Sequence, residues 1–144
     1  MTQFNVQNPD YEQTVRASFA QQGFMAFLGA ELTAVSPGEI TIELPVSASL
    51  SQQHGFVHAG ATTAVVDSAC GYAALTLMPP GSEVVTVEFK VNLLAPALGV
   101  KMIAIGRVVR PGRMLTVCQG ELFGEDETGA RKRCALMTAT MIQR

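Results

Sequence analysis

Charge is scarce in this chain. Only 15% of its 144 residues are Asp, Glu, Lys or Arg, against 48% hydrophobic. That balance excludes a disordered chain, which buries too little apolar surface to offset its ordering entropy. Clustered positive charge is also missing: the formal net charge is -2 and the basic residues are scattered, apart from Arg131-Lys132-Arg133. A nucleic-acid partner demands a basic footprint, so none is expected, and so short a run reads as a solvated strand end or turn. Cysteine is sparse too. Cys70, Cys118 and Cys134 are odd in number and widely spaced, with no zinc pattern and no paired redox motif, so reduced thiols in a cytoplasmic protein are expected. The start, Met1-Thr2-Gln3-Phe4-Asn5, has neither the basic nor the apolar region of a signal peptide. Ala59 to Met78 approaches the length of a membrane span. It is built of Ala, Thr and Gly rather than Leu and Ile, and carries Asp67 near its middle, which is costly in lipid. No linker, repeat or low-complexity segment interrupts the chain, so a single domain over 1–144 is expected.

Apolar patterning is what the chain has in quantity. Mean hydropathy is +0.26, high for a small monomer, which implies apolar surface buried in a subunit interface as well as in a core. Asp10 to Gln22 reads as a helix capped by Asp10 and ended by Gly23. Leu28 to Ser36 and Glu39 to Leu44 read as strands joined by the Pro37-Gly38 turn. Ser47 to Val57 is a loop. Ala59 to Met78 is apolar all round, the pattern of a fully buried helix. Four more strands follow: Val84 to Leu94, Val100 to Val109, Met114 to Phe123 and Cys134 to Ile142. The first places Val85, Val87, Phe89 and Val91 on one face and Thr86, Glu88, Lys90 and Asn92 on the other. The class is therefore α+β, a mostly antiparallel sheet of about six strands wrapped around a long central helix.

Chemistry concentrates on that helix. Asp67 is the only charged side chain between His54 and Glu83, and burying an ionised carboxylate without a partner is expensive. It either bonds a nearby backbone or Ser group and orders the core, or it serves a site. His58-Ala59-Gly60 opens the helix with small residues. The first N–H groups there have no partner inside the helix, and the dipole adds positive potential, a setting for a developing oxyanion. Ala59 and Asp67 are eight residues apart, ~12 Å along the axis at 1.5 Å per residue. One chain therefore does not bring both to one carbonyl carbon. Two antiparallel helices side by side do, so if both groups act together the site is shared and a symmetric dimer holds two of them. His54 and His58 at i, i+4 lack a third ligand and are not expected to bind a metal. Cys70 lies ~18 Å along the helix from His58 and reads as a small core residue.

Gln52-Gln53-His54-Gly55-Phe56-Val57-His58-Ala59-Gly60, followed by Ala64-Val65-Val66-Asp67-Ser68-Ala69, resembles the signature of the PaaI-like hotdog thioesterases. That signature is roughly Asn, a few residues, Gly, two residues, His-Gly-Gly, then Asp or Glu on the helix. Thr86 to Ala97 resembles the family's next strand. The resemblance implies that an acyl-coenzyme A, aromatic or medium-chain, is hydrolysed to free acid and coenzyme A. Asp67 would be nucleophile or general base and the Ala59 N–H would polarise the thioester. His58, Gly60, Gln52 and Thr86 would complete the catalytic set, with Thr86 placing the attacking water. His54, Gly55, Phe56 and Tyr72 would contact substrate. Arg110 and Arg113, flanking a hairpin turn, would meet the coenzyme phosphates or else are solvated. No cofactor is implied, since coenzyme A is part of the substrate, and the partner implied is a second copy, in dimers paired into tetramers. Two departures stand out. Ala59 replaces the first Gly, keeping an N–H donor but disfavouring positive φ, and Gln52 replaces Asn. The rival readings are a hotdog acyl-thioester hydratase or dehydratase and a non-catalytic acyl-CoA-binding module.

Overall fold

The computed structural model describes residues 3–144. Met1 and Thr2, the first residues of the stretch read for a leader, lie outside the described residues. The element order is α1 (Tyr11–Ala20), α2 (Gly23–Leu28), β1 (Glu31–Ser36), β2 (Glu39–Pro45), α3 (Ala59–Leu75), β3 (Val84–Leu93), β4 (Lys101–Pro111), β5 (Leu115–Glu125) and β6 (Arg131–Gln143). The six strands form one antiparallel sheet in the order β1-β2-β4-β5-β6-β3. It curls around α3 in the hotdog arrangement. The alternation in β2 does what a half-buried strand requires: Ile40, Ile42 and Leu44 enter the core while Glu39 and Glu43 face outward to ion pairs with Arg107 and Lys101. The basic run opens β6, where Arg131 and Arg133 reach Glu125 and Glu121 across the sheet.

The sheet approaches α3 so closely that two strand positions admit no side chain. A Cβ on Gly106 of β4 would stand 2.3 Å from the Ala69 carbonyl carbon, and one on Gly120 of β5 would stand 2.4 Å from Val66 Cγ1. The Gly106 neighbour is helix backbone, which has no rotamer to change. Gly106→Ala is therefore expected to destabilise the fold by about 1–3 kcal/mol, as overpacking does, a loss readable by urea unfolding.

Four expectations are corrected. Gly23 ends one helix but also opens α2, so Leu28 is helical rather than part of a strand. Asp10 makes no side-chain cap. The turn into α1 is held instead by Asn8, whose Oδ1 accepts the Asp10 N–H and whose carbonyl accepts the Tyr11 N–H. Plain alternation fails in β3, where the register against β6 shifts between Thr86 and Glu88. This bulge flips the faces, so Thr86 and Phe89 pair with inward-facing Met141 and Ala139. Finally, α3 is not covered all round. Gly60 is exposed, and Thr63, Ala64, Asp67, Ser68 and Gly71 are only half-buried, at spacings that make one stripe of the helix. The sheet and α1 cover the other faces and leave this one open.

Candidate active site

His58 starts α3 and decides which of its first N–H groups stays free. Its backbone is extended, and Nδ1 accepts the Gly60 N–H at 2.8 Å, the bond by which an N-cap satisfies an orphan donor. Its carbonyl takes the N–H groups of Ala61 and Thr62. The Ala59 N–H is left without an acceptor among the described residues, at the positive end of the helix dipole. With Nδ1 accepting, a neutral His58 carries its proton on Nε2. Gly60 suits this cap, since a Cβ there would meet Nδ1 at 3.0 Å. Its own N–H is committed to His58 and is not a second free donor. Ala59 is the first residue of the helix, and no non-glycine described residue has positive φ. Alanine therefore sits here without strain.

The loop before α3 is held at both ends. His58 N–H donates to the Leu50 carbonyl and Val57 N–H to that of Ala97, while Gly55 supplies a φ of 84° at the turn. The Gln52 side chain accepts the His54 N–H within the turn. Gln52, Phe56, His58 and Ala59 line a cavity of about 570 Å³ with Leu94 and Cys134. His54 and Gly55 are exposed on the outside of this loop and do not line it.

Asp67 opens into a different cavity, also about 570 Å³, between α1, α3 and β3. The β3 bulge turns Thr86 toward it, and Thr86 Oγ1 donates to Asp67 Oδ1 at 2.8 Å. Burial pushes the Asp67 carboxyl above its ordinary range, and the Thr86 hydrogen bond opposes that rise. Tyr72 lines the same cavity with its hydroxyl held by Ser18 and by Gln22 Nε2. Sequence reasoning missed Ser18, Gln22 and Ser68. Ser68 follows Asp67 directly and was open to suspicion; Gln22 meets Tyr72 across 50 residues of chain, a contact no local pattern announces.

The structure thus brings Asp67, Thr86 and Tyr72 together in one cavity and Gln52, Phe56, His58 and Ala59 in another. Arg110 and Arg113 lie at the β4–β5 turn, exposed, outside both cavities and without an ion pair among the described residues. Burial raises the Cys70 thiol far above its normal range and pushes Cys118 up to about 12, which leaves both as inert core thiols. Among the described residues no three His, Cys, Asp or Glu side chains converge on a metal-sized space, and no helix is long and apolar enough to cross a membrane.

A half-buried carboxylate, a free N–H at a helix start and a sheet curled round that helix define a class, and comparison with known proteins agrees. The chain matches the Thioesterase superfamily over residues 54–130, a span that takes in Ala59, Asp67 and Thr86. It belongs to that superfamily and is a thioester hydrolase of the hotdog fold. The crystal structure of a thioesterase family protein from Silicibacter pomeroyi shares 47% identity and superimposes with a TM-score of 0.90, over 92% of this chain and 97% of that one. The E. coli PaaI protein, from the phenylacetic acid degradation operon, has the same fold at 19% identity, with a TM-score of 0.82 over 94% of each chain. A 1,4-dihydroxy-2-naphthoyl-CoA hydrolase of Listeria monocytogenes is 23% identical over 105 residues, 73% of this chain and 85% of that protein.

Proposed function

We propose that this protein hydrolyses aromatic or medium-chain acyl-coenzyme A thioesters, at sites each shared between two subunits. The observation that carries the reading is the separation of two complementary half-sites along one helix. Asp67 lies in one cavity and the free Ala59 N–H borders the other, ~12 Å apart along the axis. A second copy laid antiparallel against the open stripe of α3 sets the Ala59 of one subunit opposite the Asp67 of the other. β3 supports the same pairing, because it is an edge strand with Val85, Val87, Phe89 and Leu93 exposed. Such an edge invites a further strand.

In this site the thioester oxygen accepts the Ala59 N–H, and negative charge develops on it as the carbonyl carbon becomes tetrahedral. Asp67 either takes a proton from a water whose oxygen adds to that carbon, or adds directly and gives an anhydride that water then opens. In both routes the carbon–sulfur bond breaks, coenzyme A leaves as the thiolate, and the acid is freed. Thr86 Oγ positions the carboxylate and the water. Arg110 and Arg113, with no ion pair to break among the described residues, are available to the coenzyme phosphates.

The test is release of coenzyme A, followed with a thiol reagent, across aromatic, short, medium and long acyl thioesters. Turnover on aromatic or medium chains is expected. Tight binding without turnover, or hydration of an enoyl thioester instead, would overturn the reading. Thr86→Val is expected to lower the plateau rate at high pH and to move the acid limb of its pH–kcat/KM profile to higher pH. The lost hydrogen bond is the one that holds the Asp67 carboxyl down, and the reaction needs the carboxylate.

A further inference from the structure

Thr86 has one hydroxyl hydrogen and two acceptors for it. Asp67 Oδ1 lies 2.8 Å from Oγ1, and Met141 Sδ lies 3.4 Å from it. The β3 bulge makes the second contact, because it sets Thr86 directly opposite Met141 of β6, where paired side chains on one face of a sheet meet. Met141 is wholly buried, and its sulfur lies 4.0 Å from where a Cβ on Gly71 of α3 would stand. A thioether is a weak acceptor and a carboxylate a strong one. While Asp67 is ionised, the hydrogen therefore belongs to Oδ1. Among the described residues no cation lines the cavity of Asp67: Tyr72 and Glu83 share it, α1 adds no charge to it, and burial keeps the protons on Cys70 and Cys118. Thr86 is thus the one side-chain donor to the carboxylate among the described residues.

We propose that Met141 is a positioning residue, whose sulfur takes the Thr86 hydrogen as Asp67 gives up its negative charge during hydrolysis. Both routes discharge the carboxylate. In one it gains a proton from the water whose oxygen adds to the thioester carbon. In the other its own oxygen forms a bond to that carbon, and the electron pair of the C=O π bond moves to the oxygen facing the Ala59 N–H. Either way Oδ1 becomes a poorer acceptor, and in the first route the new carboxyl O–H donates back to Thr86 Oγ1. The Thr86 hydrogen then turns to Met141 Sδ, so the half-buried hydroxyl keeps a partner throughout the step. Thr86 and Met141 together hold the carboxyl in one place in both of its charge states. The inference deepens the thioesterase reading and rests on it.

The test measures pH–kcat/KM profiles on whichever acyl-coenzyme A the wild type cleaves fastest. The variants are Met141→Leu and Met141→norleucine, each made in the wild-type and in the Thr86→Val background. Norleucine puts a methylene where the sulfur was and keeps the shape, so it serves if the leucine variant does not fold. In the wild-type background both are expected to lower the plateau by about 3- to 10-fold, the worth of one weak hydrogen bond. Both should also move the acid limb to lower pH by about half a unit, because the bond lost favours the discharged carboxyl. Thr86→Val moves the limb the other way. In the Thr86→Val background neither Met141 substitution should change the profile, since the hydroxyl through which Met141 acts is gone. Unchanged profiles in the wild-type background would overturn the inference and leave the thioesterase reading standing. Equal changes in both backgrounds would do the same, by making Met141 a packing residue only. A wild type that cleaves no thioester would overturn both.

Discussion

Ala59→Pro is expected to lower the rate of acyl-coenzyme A hydrolysis by about 100- to 1000-fold, the usual cost of one oxyanion donor, while the protein stays folded. The substitution puts the ring Cδ in place of the amide hydrogen, at a cavity-lining position, and leaves the helix's own hydrogen bonds intact. Ala59 is the first residue of α3, where proline is tolerated because its missing N–H had no partner inside the helix. His58 is already extended, at φ -61° and ψ 136°, as a residue preceding proline must be. Gly60, Ala61 and Thr62 keep their bonds to His58. Ala59→Gly, which keeps the N–H, is the control and should retain activity. A proline variant that turned over normally would remove Ala59 from the mechanism.

Asp67→Asn is expected to cost on the order of 1000-fold in kcat/KM or more, since the amide neither takes a proton from water nor attacks a thioester. Its stability should move the other way. The folded-state pKa of Asp67 is raised above the ordinary 3.8 by burial, so the ionised carboxylate is a liability to the fold wherever pH exceeds that raised value. The wild type regains stability as pH falls through it, and recovery is complete below the unfolded value. The amide that replaces the carboxylate carries no such charge. The variant should therefore melt at or above the wild-type temperature at neutral pH, with the advantage fading under acid. A melting temperature well below the wild type at neutral pH would make Asp67 a structural residue and sink its catalytic assignment.

Much of this was legible in the sequence because the relevant signals are local. The alternation of Ile40, Ile42 and Leu44, the Pro37-Gly38 turn and the apolar run containing Asp67 mark their elements by period and composition alone, and with the resemblance they led to the hotdog fold the structure has. The start of α3 was legible in the same way, as small residues after His58. The rest depended on contacts between distant segments. The β3 bulge that turns Thr86 toward Asp67 is set by pairing with β6, and alternation alone predicted the opposite face. The cap at His58 decides that the Ala59 N–H, and not that of Gly60, is free, and this follows from the direction of one imidazole ring. Gln22 reaches Tyr72 and Ser68 only because α1 packs across α3. The open stripe of α3 was hidden because small residues such as Ala64 and Gly71 read as buried whether a neighbouring helix, a substrate or a second subunit covers them.

The most direct test of the account is to mix two inactive proteins, Asp67→Ala and Ala59→Pro, under conditions where subunits exchange, and to measure coenzyme A release. Each mixed dimer would hold one site with both substitutions and one with neither, so hydrolysis should reappear in the mixture and rise with the fraction of mixed dimers. Persistent inactivity despite demonstrated exchange would contradict a site in which the Asp67 of one subunit works with the Ala59 N–H of another.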